Sequence, residues 1–239
     1  KAELVEAFYA MGPEGVSAWN LFNEVQATVI GNVLVARNVV AAEKFKALWH
    51  RPRSLYADDA IDLGARATYT LFERAFAKRE RLGTTFVKDF VAALQTGLGE
   101  RLVSPGVYLR SVVINVEKEG SGWPGKFSRA VNAWSVSIIT GIGGAEVAAR
   151  LDRYPGLSAV AFIKPDQIAE LARASASFGT TAEVLTSAIG SSRGVVLLTQ
   201  RSPKAYAVIF IARDDALLDG LIGAFPACQL KPGVCVRIE

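Results

Sequence analysis

Histidine occurs once in the 239 residues, methionine once and cysteine twice. That scarcity excludes several kinds of chemistry before any motif is considered. A single histidine, His50, cannot build a multi-histidine metal centre, and two cysteines with one distant histidine do not make a structural zinc site. No metal ligation is therefore expected. A Ser-His-Asp or Cys-His mechanism would have to recruit His50 from between Trp49 and Arg51, where a helix-end capping or stacking role suits it better. No apolar run reaches the length a bilayer span needs, about 20 residues. Val25 to Ala42 comes nearest, but Gln26, Asn32, Arg37 and Asn38 interrupt it. No signal-like stretch opens the chain, and the expectation is a cytoplasmic protein without a membrane span. The start at Lys1, without an initiator Met, also fits removal of a targeting segment.

Charge of one sign is scarce too. The formal net charge is +4, with hydrophobic residues at 51% and charged residues at 21%, which excludes wholesale disorder. Residues 1–103 carry 13 basic and 12 acidic side chains, residues 104–239 carry 14 and 11. The surplus suits a phosphate-bearing partner without requiring one. Cys228 and Cys235 lie seven apart around Lys231-Pro232-Gly233. A symmetric hairpin would set them opposite each other and permit a disulfide, whereas a turn centred on Pro232-Gly233 would set Cys235 opposite Leu230 and forbid it.

What is present reads as two halves: a helical domain over 1–103 and an α/β domain over 104–239. The fold class is α+β or α/β, with a mixed sheet in the second half. In the first half, Leu4, Val5, Phe8 and Tyr9 make an apolar stripe that ends at Gly12-Pro13. A long apolar helix then runs through Val25 to Trp49, apolar on nearly every side, and predicts burial in a bundle or an oligomer interface. Ser54 to Leu82 predicts a helix with Asp58, Asp59 and Asp62 early and Lys78, Arg79 and Arg81 late, matching the helix dipole. Thr85 to Leu98 predicts another helix, and Ser104-Pro105-Gly106 marks the boundary.

The second half is organised around Arg193 to Asp215. Two β-prone runs, Val195 to Leu198 and Ala205 to Ala212, flank the turn Gln200-Arg201-Ser202-Pro203-Lys204. Their continuous apolarity predicts strands covered on both faces, the central hairpin of the sheet. Strands are also expected over Val107 to Val116, Trp134 to Ile138, Leu157 to Ile163 and Gly233 to Ile238. Helices are expected over Ala145 to Tyr154, Asp166 to Ala176 and Thr181 to Ile189, with another after an Asp214 or Asp215 cap.

Two glycine loops could carry chemistry. Gly120-Ser121-Gly122-Trp123-Pro124-Gly125-Lys126-Phe127-Ser128 resembles a phosphate loop locally. In such a loop backbone N–H groups enclose phosphate oxygens while the lysine neutralises charge. Phe127 stands where a magnesium-holding hydroxyl belongs, with Ser128 one place late. The sequence favours a glycine-rich hairpin connection between strands 107–117 and 131–139. Gly141-Ile142-Gly143-Gly144 follows a strand and precedes a helix, the order of a dinucleotide-binding turn. Glu146 occupies its third fingerprint position, which favours a plain tight turn. Gly120, Gly125, Lys126, Ser128, Gly141 and Gly143 are therefore the candidates for nucleotide contact. Asp214 and Asp215 could stand on the magnesium side of such a site, although a helix cap explains them more simply.

Basic residues near aromatic rings form the other constellation: Arg51, Arg53, Lys126, Arg129, Arg201 and Lys204. Cations beside stacking rings suit a nucleic-acid strand. The leading expectation is a non-enzymatic binding or assembly protein, a homo-oligomer that presents these loops to a phosphate-bearing partner such as nucleic acid, with no cofactor. A nucleotide-binding enzyme is the alternative. Enzymatic activity stays open, with the shortage of catalytic side chains weighing against it.

Overall fold

In the computed structural model, which describes residues 2–118, 120–154, 156–202 and 205–239, the chain divides into two compact units, Lys1–Val103 and Ser104–Glu239. The first is all helical and the second carries a mixed six-stranded sheet, which places the protein in the α+β class.

The helical unit comprises α1 (Ala2–Tyr9), α2 (Gly12–Thr28), a π-helical stretch Val29–Val35, α3 (Ala36–Val39), α4 (Ala42–His50), α5 (Asp59–Ala77) and α6 (Thr84–Leu98). Its core is an aromatic cluster. Phe22 stands 5.3 Å from both Phe8 and Phe90, and Phe72 lies 5.2 Å from Phe86 and 5.8 Å from Phe90. Gly64 lets α2 and α5 approach, since a Cβ there would lie 2.9 Å from the Val25 side chain.

The long apolar helix expected from Val25 to Trp49 is interrupted. Val40 adopts an extended conformation (φ −102°, ψ 139°) and separates α3 from α4. Val25, Val29 and Val33 reach the core, but neither α3 nor α4 contributes a buried residue. The bundle thus covers only the first half of that segment.

Helix α5 is shorter at both ends than the charge pattern predicts. The Asp58 carboxylate caps it, accepting from the backbone N–H of Ala60 (3.0 Å) and Ile61 (3.1 Å). Residues 54–57 are held outside the helix by two buried or half-buried side chains on its first turns. Asp62 accepts the Leu55 N–H at 2.9 Å, and Arg66 donates to the carbonyls of Trp49 and Arg51 and to Asp62 itself. At the other end Arg79 turns left-handed (φ 52°) and Glu80 N–H closes onto Ala75 O at 2.8 Å. Lys78, Arg79 and Arg81 consequently lie beyond the last turn.

In the second unit the order is α7 (Pro105–Tyr108), β1 (Ser111–Val116), α8 (Trp123–Val131), β2 (Ser135–Thr140), α9 (Ala145–Arg153) and β3 (Ser158–Ile163). Then come α10 (Ile168–Leu171), α11 (Ser175–Phe178), α12 (Ala182–Ile189), β4 (Gly194–Ser202), β5 (Ala205–Ala212), α13 (Asp215–Ala224) and β6 (Gly233–Ile238). The strands are ordered β2-β1-β3-β5-β4-β6. Strands β2, β1, β3 and β5 run parallel, while β4 is antiparallel to both β5 and β6. The runs around residues 195–199 and 205–212 are adjacent antiparallel strands, Val195 opposite Ile211 and Thr199 opposite Ala207. Every residue of β3 and β5 is buried. On one face Ala161, Ile163, Ile209 and Ile211 meet Val147 and Leu151 of α9. On the other, Phe162 and Phe210 pack 6.0 and 5.9 Å from Phe127 of α8.

Three expectations change here. The strand predicted from Val107 begins only at Ser111, because Pro105 presets a helical turn whose Val107 and Tyr108 N–H groups both reach Ser104 O. Strand β2 turns Ile139 inward and leaves Ile138 about half exposed, the reverse of the face that Trp134, Val136 and Ile138 suggested. The helix expected over 166–176 is split into short α- and 3-10 turns. Cys228 and Cys235 are bridged. Cys228 follows a 3-10 turn, Phe225–Ala227, and no hairpin is involved, since β6 pairs with β4. Reducing cytosol disfavours such a bridge, which weighs against the cytoplasmic expectation.

Burial acts to raise the Asp62 pKa, but Arg66 and the Leu55 N–H outweigh it and hold the carboxyl below its ordinary value. A group with a depressed folded pKa stabilises above its unfolded pKa, about 4, and that contribution is lost as pH falls through the folded value. Asp62→Asn should cost about 3 kcal/mol at neutral pH, because Arg66 loses its partner. The gap between the two proteins should then narrow below pH of about 4. Thermal unfolding at neutral and acid pH checks this, and a gap independent of pH would contradict it.

Candidate functional site

Parallel strands place all their following loops at one edge of the sheet. Strands β1, β2, β3 and β5 therefore deliver Glu117, Lys118, Gly120, Ser121 and Gly122, then Gly141–Gly144, Lys164 and Arg213-Asp214, to a common carboxyl edge. Helices α8 and α9 leave that edge on opposite faces, so the direction of winding reverses at β1, the arrangement that opens ligand crevices in open α/β sheets.

The Gly120 to Ser128 segment is no hairpin connection. Strands β1 and β2 are parallel, Ser111 opposite Ser135, and parallel neighbours need a crossover. That crossover is α8. Gly120 (φ 86°) and Gly122 (φ 75°) are both left-handed, a conformation that glycine adopts without strain, and they turn the chain from β1 into the helix. Gly125 and Lys126 lie in its first turn, Lys126 N–H bonding Gly122 O at 3.1 Å. The helix begins at Trp123, three residues before Lys126, and Pro124 offers no N–H. The loop is therefore shorter than one that wraps a triphosphate. Phe127 is fully buried among Phe162, Phe210 and Phe225, and Ser128 Oγ donates back to Pro124 O at 2.7 Å. Ser128 is thus turned away from any ligand.

A cleft of about 730 Å³ opens beside this loop. Its loop side is formed by Gly120, Ser121 and Gly122, its helix side by Gly125, Lys126 and Arg129. Ile138, Ile139 and Thr140 of the edge strand β2 supply an apolar wall, and Lys118 and Glu146 stand at the rim. The cleft lies on the β2 side of β1 and not between β1 and β3. Ser121 Oγ is buried and has no hydrogen-bond partner among the described residues. Lys126 Nζ reaches Asp219 of α13 at 2.6 Å, with both side chains nearly half exposed.

No known protein family, curated protein or solved structure matches this chain.

The second glycine loop is occupied by the protein itself. Asn115, buried in β1, donates to the carbonyls of Ile139 (3.1 Å) and Gly141 (3.0 Å) and accepts the Gly143 N–H at 3.0 Å. A Cβ on Gly143 would sit 1.9 Å from Glu170 O, so that glycine serves close packing. A backbone donor that a pyrophosphate would need is already used. The turn from Gly141 to Gly144 is thus held by Asn115. Asp214 caps α13 through the Leu217 N–H at 2.9 Å, and Asp215 pairs with Lys164 at 3.5 Å. Among the described residues no group of three or more His, Cys, Asp or Glu side chains could hold a metal ion.

Of the candidates described in the second unit, Lys126, Arg129 and Arg201, only the first two share a surface. Lys126 and Arg129 share the carboxyl-edge cleft. Arg201 sits near the end of the antiparallel strand β4, beside the start of β5, and so at the opposite edge of the sheet. Its guanidinium points inward, donating at 2.8 Å to each of the carbonyls of Ser177, Leu157 and Leu151. Desolvation lowers its pKa, and Asp152 partly opposes that. Arg201 is a clasp between three chain segments. Lys204 lies outside the described residues. In the first unit Arg51 is exposed, and Arg53 and Arg101 converge on Asp59. The hydrogen bond from Arg53 lowers the Asp59 pKa and raises that of Arg53. His50, also exposed, ends α4 beside this cluster.

Ser121 and Asn115 were not among the candidates drawn from sequence. Asn115 had a signal, a lone amide within the run Val-Val-Ile-Asn-Val. Ser121 had none beyond its place between two glycines.

Arg201→Ala leaves carbonyls of Leu151, Leu157 and Ser177 short of a charged donor, and should cost about 2 kcal/mol of stability. Arg201→Lys should recover little, because one ammonium cannot span the fork. Denaturant unfolding of both variants checks this; wild-type stability in Arg201→Ala would show the clasp to be dispensable.

Proposed function

We propose that the α/β unit is a non-enzymatic binding module that takes a phosphate-bearing ligand in the cleft between the β1–α8 loop and the edge strand β2. One observation carries the reading: the Ser121 hydroxyl is buried at that loop without a partner among the described residues, beside the first turn of α8. Buried polar atoms are nearly always satisfied, and an orphan beside a cleft is satisfied by what the cleft holds. A phosphate oxygen suits it. The Ser121 O–H and the N–H groups at the start of α8 are donors, the helix N-terminus favours an anion, and with Lys126 paired to Asp219 the cations Lys118 and Arg129 still exceed the single carboxylate of Glu146. Phe127 and Ser128 leave no hydroxyl for magnesium, which favours binding over phosphoryl transfer.

The cleft volume is that of a small-molecule site, and Ile138 and Ile139 offer an apolar wall to a base or similar group. A nucleic-acid strand is the second reading, supported by Arg129 and Lys118 at the open rim. Having Arg201 turned inward at the far edge of the sheet removes one of the contacts that reading relied on.

Calorimetric titration with inorganic phosphate, a nucleoside triphosphate and a short oligonucleotide tests the proposal. The unaltered protein should bind at least one of them, more weakly as salt rises. Ser121→Ala should weaken binding about tenfold through loss of a charge-assisted hydrogen bond. Its unfolding midpoint should hold or rise, because the variant removes an unsatisfied polar atom. Lys126→Ala should weaken binding while leaving Asp219 solvated and the fold intact. Absence of binding for all three ligands at low salt, with the protein folded, would sink the reading.

A further inference from the structure

The segment that the bundle leaves uncovered has a composition of its own. All five exposed large hydrophobic residues described in the first unit, Ile30, Val35, Val39, Leu48 and Phe76, lie on or beside it. Val39 is 75% exposed and Val35 51%, one helical turn apart. The Arg37–Glu73 ion pair at 2.7 Å sets α3 beside the turn of α5 that carries Phe76. On α4, Phe45 and Trp49 face the bundle, with Trp49 4.8 Å from Tyr69. Lys44, Lys46 and Leu48 are exposed. Residues 29–53 hold five basic side chains against one acidic. Arg37 and Arg53 are paired with Glu73 and Asp59, whereas Lys44, Lys46 and Arg51 have no ion pair among the described residues.

We propose that this face, from Ile30 through Arg51, docks on an anionic lipid surface. Apolar side chains projecting beside unpaired cations are the composition of an element that lies in the membrane interface. The cations meet acidic headgroups while Val35, Val39 and Leu48 enter the headgroup–acyl boundary. Among the described residues no helix is long and apolar enough to cross a membrane, so this is attachment to the surface. A second copy fits less well, because a two-fold interface would set Lys44, Lys46 and Arg51 against the same cations. A nucleic-acid strand would use the cations and leave the valines in water.

The fold does not depend on these side chains. Since Val35 and Val39 are half or more exposed and α4 contributes no buried residue, Val35→Asp with Val39→Asp, or Lys44→Glu with Lys46→Glu, should leave the unfolding midpoint unchanged. The test is flotation of the whole chain with phosphatidylcholine vesicles, alone or with added phosphatidylserine. Light scattering without lipid and titration with an oligonucleotide accompany it. The expected result is binding only to the phosphatidylserine-containing vesicles, abolished by the double aspartate variant and weakened roughly tenfold or more by the double glutamate variant. Failure to float with phosphatidylserine vesicles at low salt overturns the proposal. So does vesicle binding that survives the double aspartate variant. A lipid-free dimer dissolved by Val39→Asp would assign the face to a second copy, and an oligonucleotide held by Lys44 and Lys46 without vesicle binding would assign it to nucleic acid.

Discussion

The parallel pairing of β3 with β5 is the constraint on which the second unit depends. All 14 residues of these two strands are buried, and both faces carry apolar side chains that must be covered. A hairpin alone cannot do this, so helices are required above and below the sheet. Residues Phe127, Phe162, Phe210 and Phe225 fill one layer, while the alanines and isoleucines of the same strands admit α9 and its successors on the other. Having committed to parallel strands, the chain must return by crossovers, and each crossover starts from the same edge. Convergence of the loops there is therefore a consequence of how the core is covered, whatever the loops bind.

Several buried polar side chains in this molecule do structural work. Asn115 ties the second glycine loop to β1, Arg201 gathers three carbonyls, and Asp62 with Arg66 folds residues 49–55 against α5. Each bonds backbone groups where irregular chain passes over a regular element. Such groups are costly to desolvate and keep their place only when well paired. Among the described residues the Ser121 hydroxyl has no such hydrogen bond, and neither has the buried Ser17 hydroxyl, but Ser121 lines the cleft.

What the sequence made legible was whatever depends on local pattern. The runs at 195–199 and 205–212 are strands because β-branched and aromatic residues crowd them without a break. Asp214 caps a helix because a short carboxylate before an apolar run reaches the first free N–H groups, whereas Asp58, read as a first-turn residue, is itself a cap. Features set by distant partners were not legible. Whether residues 107–117 and 131–139 form a hairpin or a parallel pair depends on whether Trp123–Val131 is helical. Its anchor, Phe127, finds its partners 35 and more residues away in Phe162, Phe210 and Phe225. The inward turn of Arg201 depends on carbonyls 24 to 50 residues distant. In the apolar stretch after Val25 composition indicated burial, but Val40 turns extended and α4 beyond it is only half covered, with Phe45 and Trp49 toward the bundle and the rest exposed.

The glycines of the β1–α8 loop differ from those that packing fixes. Gly143 and Gly179 are left-handed, and a Cβ on either would collide with backbone, 1.9 Å from Glu170 O and 2.5 Å from Gln200 O. Packing alone accounts for glycine at both. Gly120 and Gly122 are left-handed as well, yet a Cβ on either would meet nothing within 4 Å. Their conformation brings the Ser121 backbone sharply into α8 and keeps the space before it open. Close packing therefore does not call for glycine at either position; their left-handed φ does, as it does at Gly141.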